Sequence, residues 1–209
     1  MAANKEYYEE FSRHLIEDEK PSAYFLKKEE EGIFKERYPL TLLGKLKDTK
    51  QSPVHHPEGN VWIHTMQVID NAALLRDQSD EPEVFMWAAL LHDIGKPSTT
   101  RVRRGKITAY DHDLAGEKLS WDFLHEFALE ESFIIKVSKM VRWHMQVLMV
   151  IKDLPYANIK KMVREVPPYE IALLAMCDRL GRGGFSAEIL ENEKNNIKRF
   201  LEKCIPYIK

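Results

Sequence analysis

Apolar residues recur at helical spacing along nearly the whole chain, and little of it alternates with the period of two that strands show. Five stretches in its central part and one near its end have the clearest pattern, with turn-forming residues between them. They span residues 61–76, 83–93, 114–128, 131–149, 169–180 and 187–204. A turn at Gly105 favours a small β-hairpin near residues 99–110. The pattern therefore predicts an all-α fold with one minor hairpin.

The region before these helices is charged and aromatic. Residues 4–18 have helical spacing, the pattern breaks at Pro21, and a second charged stretch ends at Pro39. The loop QSPVHHPEGN, residues 51–60, follows. The length suits one well-cored domain. We predict a single domain over residues 1–209, with an N-terminal helical appendage (1–48), a core (50–184) and a C-terminal helix (185–209).

Histidine and aspartate side chains interrupt the apolar faces of four predicted helices. His64 lies inside one apolar stripe, and His92 with Asp93 ends a helix that is apolar all round. His144 and Asp178 continue the inner faces of two later helices. Taken singly, each could be a hydrogen-bonded core residue or a cap. Because a buried carboxylate needs a partner, one shared cation explains all five together.

The other histidines differ in their surroundings. His112, just before the third of these helices, is a sixth candidate ligand. His55 and His56, in the loop before His64, are candidates for the rim of the site. His14 and His125 sit among charged residues and are expected on solvated faces.

Three sequence blocks carry a family resemblance. The order His64, His92-Asp93 and a late Asp178 resembles the HD-domain metal-dependent phosphohydrolases. HPEGNVWIHTMQVID, ALLHDIGKPST and CDRLGRGG, with YDHDLAG and VRWH between them, look like the HD domain of some bacterial tRNA CCA-adding nucleotidyltransferases. These blocks cover about residues 50 to 184. The polymerase domain of those enzymes has no counterpart here, so nucleotide addition is not implied.

The resemblance implies an HD-domain helical bundle and a set of metal ligands. His64, His92, Asp93 and Asp178 match the basic metal quartet, and His112 and His144 match the histidines that hold a second ion in the two-metal subgroup. Asp93 would then bridge two ions. Imidazole and carboxylate ligation suits one or two divalent transition-metal ions, namely Fe, Mn, Ni, Co or Zn, with Mg as a further candidate in assays.

The activity implied is hydrolysis of phosphomonoester or 2′,3′-cyclic phosphodiester bonds of nucleotides or RNA ends by a metal-activated water. Asp93 and Lys96 are the predicted catalytic residues. Lys96 would lie about one turn beyond Asp93 if the helix continued, and its alternative role is to satisfy the helix dipole. A basic cluster surrounds the hairpin turn, although such runs are usually solvated. The predicted substrate-binding residues are Lys96, Arg101, Arg104, Arg142 and Arg182.

Composition and charge limit the expected binding partners and the expected location of the protein. A formal net charge of −2 gives no overall attraction to nucleic acid or membranes, so any binding of a polyanion must come from a local patch. We expect no DNA readout, and the resemblance implies a nucleotide or RNA-end phosphate substrate. The longest apolar run, residues 84–91, is too short to span a bilayer. The first residues lack a signal-peptide pattern. Cys177 and Cys204 lack metal-type or disulfide-type spacing. We expect a soluble, cytoplasmic protein with reduced cysteines.

Two other functions stay open at this point. Some HD-fold proteins resemble this ligand set yet use a di-iron pair for oxygen chemistry. Bound mixed-valent iron without phosphatase activity would favour that class. A non-catalytic module could instead keep the metal site to bind a nucleotide. The complete ligand series and Lys96 argue against this last alternative.

Overall fold

The computed structural model describes residues 2–183 and 186–208. Its regular structure is nearly all helical, which confirms the all-α prediction. The elements are α1 (Ala2–Glu17), α2 (Pro21–Glu30), α3 (Ile33–Glu36), α4 (Thr41–Gly44), α5 (Val61–Leu75), α6 (Pro82–Leu91), α7 (Lys96–Thr99), β1 (Arg101–Arg103), β2 (Lys106–Thr108), α8 (His112–His125), α9 (Glu131–Trp143), α10 (Gln146–Ile151), α11 (Ile159–Glu165), α12 (Pro168–Leu180) and α13 (Ala187–Cys204). Short 3-10 turns follow α5 and α13.

Helix α6 lies at the centre of the fold. Every residue from Val84 to Leu91 is buried. A helix that is apolar all round is stable in water only when other elements surround it. Helices α1, α5, α9 and α12 pack around α6, and α8 packs against α9. The residues that follow Leu91 are therefore delivered to the interior of the bundle.

The hairpin of β1 and β2 is the small antiparallel pair that the sequence predicts. Its register pairs Arg101 with Thr108 and Arg103 with Lys106. Arg104 and Gly105 between the strands both have positive φ angles, 49° and 75°. Two consecutive residues of this kind produce the tight turn that suits a twisted hairpin.

A close backbone approach joins the end of α6 to the start of α8. A Cβ atom on Gly95 would lie 2.0 Å from the carbonyl oxygen of His112 and 2.7 Å from the backbone nitrogen of Gly116. Only glycine allows this contact. The segment that carries Asp93 is thereby held against the first turn of α8.

Several predicted helix boundaries are wrong. At two of them, the ring of a histidine takes the acceptor that the next turn of the helix would use. Helix α6 ends at Leu91 rather than 93, and the predicted helix 131–149 is divided into α9 and α10. The ring of His92 donates to the carbonyl oxygen of Ala89 at 2.8 Å, and the ring of His144 donates to that of Val141 at 2.6 Å. These are the acceptors that the next residue's N–H would use in a continuing helix.

Other boundaries differ by one to three residues, and α8 ends at His125 rather than 128. Helix α8 begins at His112 rather than 114, and α11 was not predicted as a separate element. The predicted boundary at residues 184 and 185 lies outside the described residues.

In the part of the chain that the structure describes, no helix combines the length and apolar character needed to cross a membrane.

Candidate metal centre

Five helices bring the six predicted metal ligands into one buried cluster. Helix α5 supplies one histidine, the end of α6 a histidine and an aspartate, the start of α8 and the end of α9 a histidine each, and α12 an aspartate. The side chains are His64, His92, Asp93, His112, His144 and Asp178, and each is at most 13% exposed. Side chains from positions as far apart as 64 and 178 therefore meet inside the bundle.

One group of ligands surrounds the Oδ2 atom of Asp93. This oxygen lies 3.3 Å from Nε2 of His92 and 3.8 Å from Nε2 of His64. His64 Nε2 is also 3.0 Å from Oδ1 of Asp178. The ligand atoms of His64, His92 and Asp93 all lie within 4.8 Å of one another, close enough to hold one ion.

A second group surrounds the other oxygen of the same carboxylate. Oδ1 of Asp93 lies 3.5 Å from Nε2 of His112 and 3.9 Å from Nε2 of His144. These ligand atoms also lie within 4.8 Å of one another. The two oxygens of Asp93 thus face two different pairs of histidines, which is the arrangement that a bridging carboxylate requires.

Backbone carbonyls set which ring nitrogen faces the centre. Nδ1 donates to the carbonyl three residues earlier in His92, His112 and His144, at 2.8, 2.7 and 2.6 Å. The proton therefore sits on Nδ1, and the Nε2 lone pair points inward as a metal ligand requires. Burial lowers the pKa of His144 to about 4, helped by the nearby His112 and His92, so this imidazole is neutral near pH 7.

Within the described part of the chain, the cluster leaves two buried polar atoms without hydrogen bonds, which fits a bound cation. His92 Nε2 and Asp93 Oδ2 have no hydrogen-bond partner among the described residues. Such an atom costs about 1–3 kcal/mol when it is buried. The Nε2 atoms of His112 and His144 are only 3.2 Å apart, although both protons are on Nδ1. The donor set therefore fits a divalent transition metal.

Lys96 is the cation that the structure places on Asp93. Its Nζ atom lies 2.6 Å from Asp93 Oδ2, without hydrogen-bond geometry, and donates to Oε1 of Gln51 at 2.6 Å. Lys96 does not reach Asp93 from the next turn of a continuing helix, because α6 ends at Leu91 and a turn leads into α7. Burial alone would raise the pKa of Asp93, but Lys96 and His92 hold it well below its usual range.

The centre opens into a cavity of about 540 Å³. Helix α10 supplies an apolar wall that includes Val147, Leu148 and Ile151. The remaining lining includes five cationic side chains and the three carboxylates of Asp93, Asp178 and Glu193. Its cationic residues are Lys50, Lys96, Lys152, Arg179 and Arg182. Arg182 Nη2 lies 3.2 Å from Asp178 Oδ2, and Arg179 is paired with Glu193 at 2.8 Å.

Not all predicted substrate-binding residues reach this cavity. Lys96 and Arg182 line it, but Arg101, Arg104 and Arg142 are not among the lining residues that the structure describes. Arg101 and Arg104 are exposed on the hairpin, whose Ile107 does line the cavity. Arg142 pairs with Asp113 of α8 and lies 4.5 Å from the ring centroid of Trp143. Their contact with substrate stays a prediction.

The remaining histidines lie where the sequence predicts them, except that the solvated face expected for His14 is wrong. His55 and His56 both line the cavity. His14 is only 19% exposed, with its ring stacked on Tyr24 and 2.8 Å from Asp18, and His125 is exposed. Sequence reasoning missed Glu58, a buried carboxylate beside His56 and His64. Its only signal is its place in the HPEGN loop before α5.

Comparison with known protein families identifies the family of this chain. The family described as HD domain matches residues 61–183, which is more than half of the chain. The chain belongs to the HD-domain family. HD domains bind divalent metals, and this one has buried histidine and aspartate groups that could hold them.

Known relatives of this HD domain extend the comparison. The chain is 31% identical over 105 residues to the multifunctional CCA protein of Pseudomonas fluorescens strain SBW25, covering 50% of this chain and 24% of that protein. It is 38% identical over 90 residues to that of Methylococcus capsulatus strain Bath, covering 43% and 20%. The matches span about a quarter or less of these relatives. The resemblance to the HD domain of CCA enzymes is therefore confirmed.

Proposed function

We propose that this protein is a metal-dependent phosphohydrolase that cleaves phosphomonoester or 2′,3′-cyclic phosphodiester bonds of nucleotides or RNA ends. The observation that carries the proposal is the shared carboxylate of Asp93. Its two oxygens face two groups of histidines, and it lines a cavity that also holds five cationic side chains. Ligands of this kind, next to cations that can bind phosphate, suit phosphoester hydrolysis.

Each ion would have its own ligands. His64, His92 and Asp178, with Oδ2 of Asp93, would hold one, and His112 and His144, with Oδ1 of Asp93, would hold the other. When bound, divalent transition-metal ions supply Lewis acidity toward phosphoryl oxygens and make a water molecule acidic enough to attack phosphorus. The buried Nδ1–H donors keep the histidine rings from rotating, so the ligand geometry is set before substrate arrives.

The basic residues of the cavity would bind and orient the substrate. Lys96 is held by Gln51 beside Asp93, where its ammonium can neutralise a phosphate oxygen or give a proton to the leaving oxygen. Arg182 can bind a second phosphate oxygen. The exposed Arg101 and Arg104, beside the cavity, would contact the backbone of an RNA longer than one nucleotide.

A substrate panel tests the proposal. Purified protein, loaded with Mn²⁺, Co²⁺, Ni²⁺ or Mg²⁺, would be assayed with 3′- and 5′-nucleotides, 2′,3′-cyclic nucleotides and a short RNA that ends in a 2′,3′-cyclic phosphate. We expect hydrolysis by the wild-type protein and by His125→Ala, whose histidine is exposed and lies outside the cavity. His92→Ala should be inactive. Oxygen consumption without hydrolysis, or a hydrolysis rate in His92→Ala equal to that of the wild-type protein, would overturn the proposed function.

A further inference from the structure

A third buried carboxylate lies behind the metal ligands. Glu58, in the loop before α5, has a side chain that is only 2% exposed. Its Oε1 atom lies 2.8 Å from Nδ1 of His64 and accepts a hydrogen bond from Nδ1 of His56 at 2.8 Å. Its Oε2 atom is buried and has no hydrogen-bond partner among the described residues. A negative charge in this position needs a positive charge nearby.

His64 differs from the other three histidines of the centre in the partner of its Nδ1 atom. Those three donate to backbone carbonyls of their own segments. The Nδ1 atom of His64 faces the carbonyl oxygen of Gly181 at 3.3 Å and the carboxylate of Glu58 at 2.8 Å. With two acceptors at this nitrogen, Nδ1 carries a proton. Nε2 faces the carboxylates of Asp93 and Asp178, and its lone pair would be presented to an ion bound between them. A carboxylate acceptor also makes the imidazole a stronger ligand than a neutral carbonyl does.

The ligand atoms of His56, Glu58 and His64 are also close enough to hold an ion of their own. That arrangement would require His64 to bind metal through both nitrogens and to lose both ring protons. Hydrogen bonding by Nδ1–H requires no such loss. Glu58 Oε1 accepts a charge-assisted hydrogen bond from His56 Nδ1 at 2.8 Å. It forms an ion-pair contact with His64 Nδ1 at the same distance, while the hydrogen bond of that Nδ1 goes to the carbonyl oxygen of Gly181. The contact therefore supports the metal centre rather than a third site.

The loop that carries Glu58 is tied to the same centre. Gln51 contacts the carbonyl oxygen of Gly59 at 3.5 Å, and its Oε1 atom accepts the hydrogen bond from Lys96. Asn60 caps α5, with its side chain accepting from the backbone of Ile63 at 2.9 Å. These contacts hold Glu58 at the base of the helix that presents His64.

We propose that Glu58 is a positioning residue of the metal centre, which orients and strengthens His64 as a ligand while it holds His56 on the cavity wall. This inference rests on the proposed metal-dependent function. Removing an outer carboxylate of this kind weakens metal affinity by about 10–100-fold. The metal ligands themselves would be unchanged.

Titration with Co²⁺, followed by its visible absorption spectrum, tests this role. We expect Glu58→Ala to weaken Co²⁺ binding by about 10–100-fold and to change the spectrum. Glu58→Gln keeps an acceptor oxygen, so its loss should be smaller. His56→Ala should bind Co²⁺ like the wild-type protein, because the contact between Glu58 and His64 remains. Glu170→Ala is the matched control, since Glu170 is a buried carboxylate whose partners, Ser79 and Asp80, lie outside the centre.

The outcomes separate this inference from the proposed function. Wild-type affinity and an unchanged spectrum in Glu58→Ala would overturn the role of Glu58 alone. An equal loss in His56→Ala would also overturn it, because the effect would then pass through His56. Failure of the wild-type protein to bind Co²⁺ would overturn both. If Glu58→Ala does not fold, as circular dichroism would show, a wild-type affinity in Glu58→Gln would overturn the inference.

Discussion

The middle of helix α6 and the residues just beyond its end bury polar atoms in different ways. In its middle, Trp87 is stacked on Tyr8 of α1, with ring centroids 5.3 Å apart, and its indole Nε1 donates to Ser12 at 2.8 Å. Just beyond its end, His92 and Asp93 each keep a buried atom without a hydrogen-bond partner among the described residues. Both regions are buried, but in the described part of the chain only the first satisfies its polar groups with hydrogen bonds, since Asp93 Oδ2 has an ion-pair contact with Lys96 instead.

This difference separates a stabilising region from a binding region. The Trp87 indole gains stability from its buried apolar area and from its hydrogen bond to Ser12. The residues just beyond the helix carry two acceptors without hydrogen bonds to the described residues, of which only Asp93 Oδ2 has a cation, Lys96, beside it. A buried acceptor without a partner costs stability, and a metal ion would give both atoms a partner. The central helix therefore serves as a rigid support for the ligands that follow it.

The largest effect should come from Asp93→Ala, because that residue belongs to both groups of ligands. We expect metal-dependent hydrolysis to fall to the background rate, since neither ion keeps its shared ligand. The helical circular dichroism spectrum should stay that of a folded protein. Steady-state rates of phosphoester hydrolysis, with His125→Ala as the control, measure this. Wild-type rates in Asp93→Ala would contradict the mechanism.

Trp87→Ala should have the largest effect on stability. Removing this buried indole should lower the free energy of unfolding by about 3–5 kcal/mol, as for other buried aromatic residues. Urea denaturation measures the change. The folded variant should still bind as many metal ions as the wild-type protein, because Trp87 contacts none of the ligands in the described contacts. Loss of metal at urea concentrations where the variant is still folded would contradict the idea that Trp87 stabilises the fold without affecting the metal centre.

Metal removal should have a smaller effect on stability. A ligand that binds only the folded state adds about 2.7 kcal/mol when its free concentration is 100 times its Kd. Thermal unfolding with and without added Mn²⁺ should therefore show a higher midpoint with metal, and Asp93→Ala should show no shift. An equal shift in that variant would place the stabilising ion elsewhere.

The smallest effect concerns the two cysteines, which are both buried. Burial raises the pKa of the Cys204 thiol to about 11 and raises that of Cys177 even further. Little reactive thiolate exists at pH 8, so alkylation of the native protein should be slow and should accelerate as pH rises toward 11. Mass spectrometry after iodoacetamide treatment measures this, with urea-denatured protein as the control. Rapid labelling of the native protein at pH 8 would contradict the burial.

Helical periodicity predicted the parts of the fold that depend on local pattern. Helix α13 has the predicted bounds, and the buried central helix and the hairpin were also predicted. Hydrophobic phase places His64, His144 and Asp178 on inner faces, which is why the sequence alone predicts them as candidate ligands. A polar residue in phase with apolar neighbours is visible in a single segment.

Features that depend on partners from distant segments could not be predicted in this way. The division between α9 and α10 has no proline or glycine to mark it, and depends on the ring of His144. Arg142 faces Asp113 of α8 rather than the cavity. Glu58 lies in a loop without periodicity, so its burial against His64 follows only from the three-dimensional packing.

Metal analysis of the purified protein tests the central claim most directly, namely that Asp93 joins two groups of ligands in one centre. The wild-type protein, His144→Ala and Asp93→Ala would be loaded with Mn²⁺, desalted and analysed by plasma mass spectrometry. We predict two ions per chain in the wild-type protein, one in His144→Ala and none in Asp93→Ala. The same metal content in all three proteins, or none in the wild-type protein, would contradict the account.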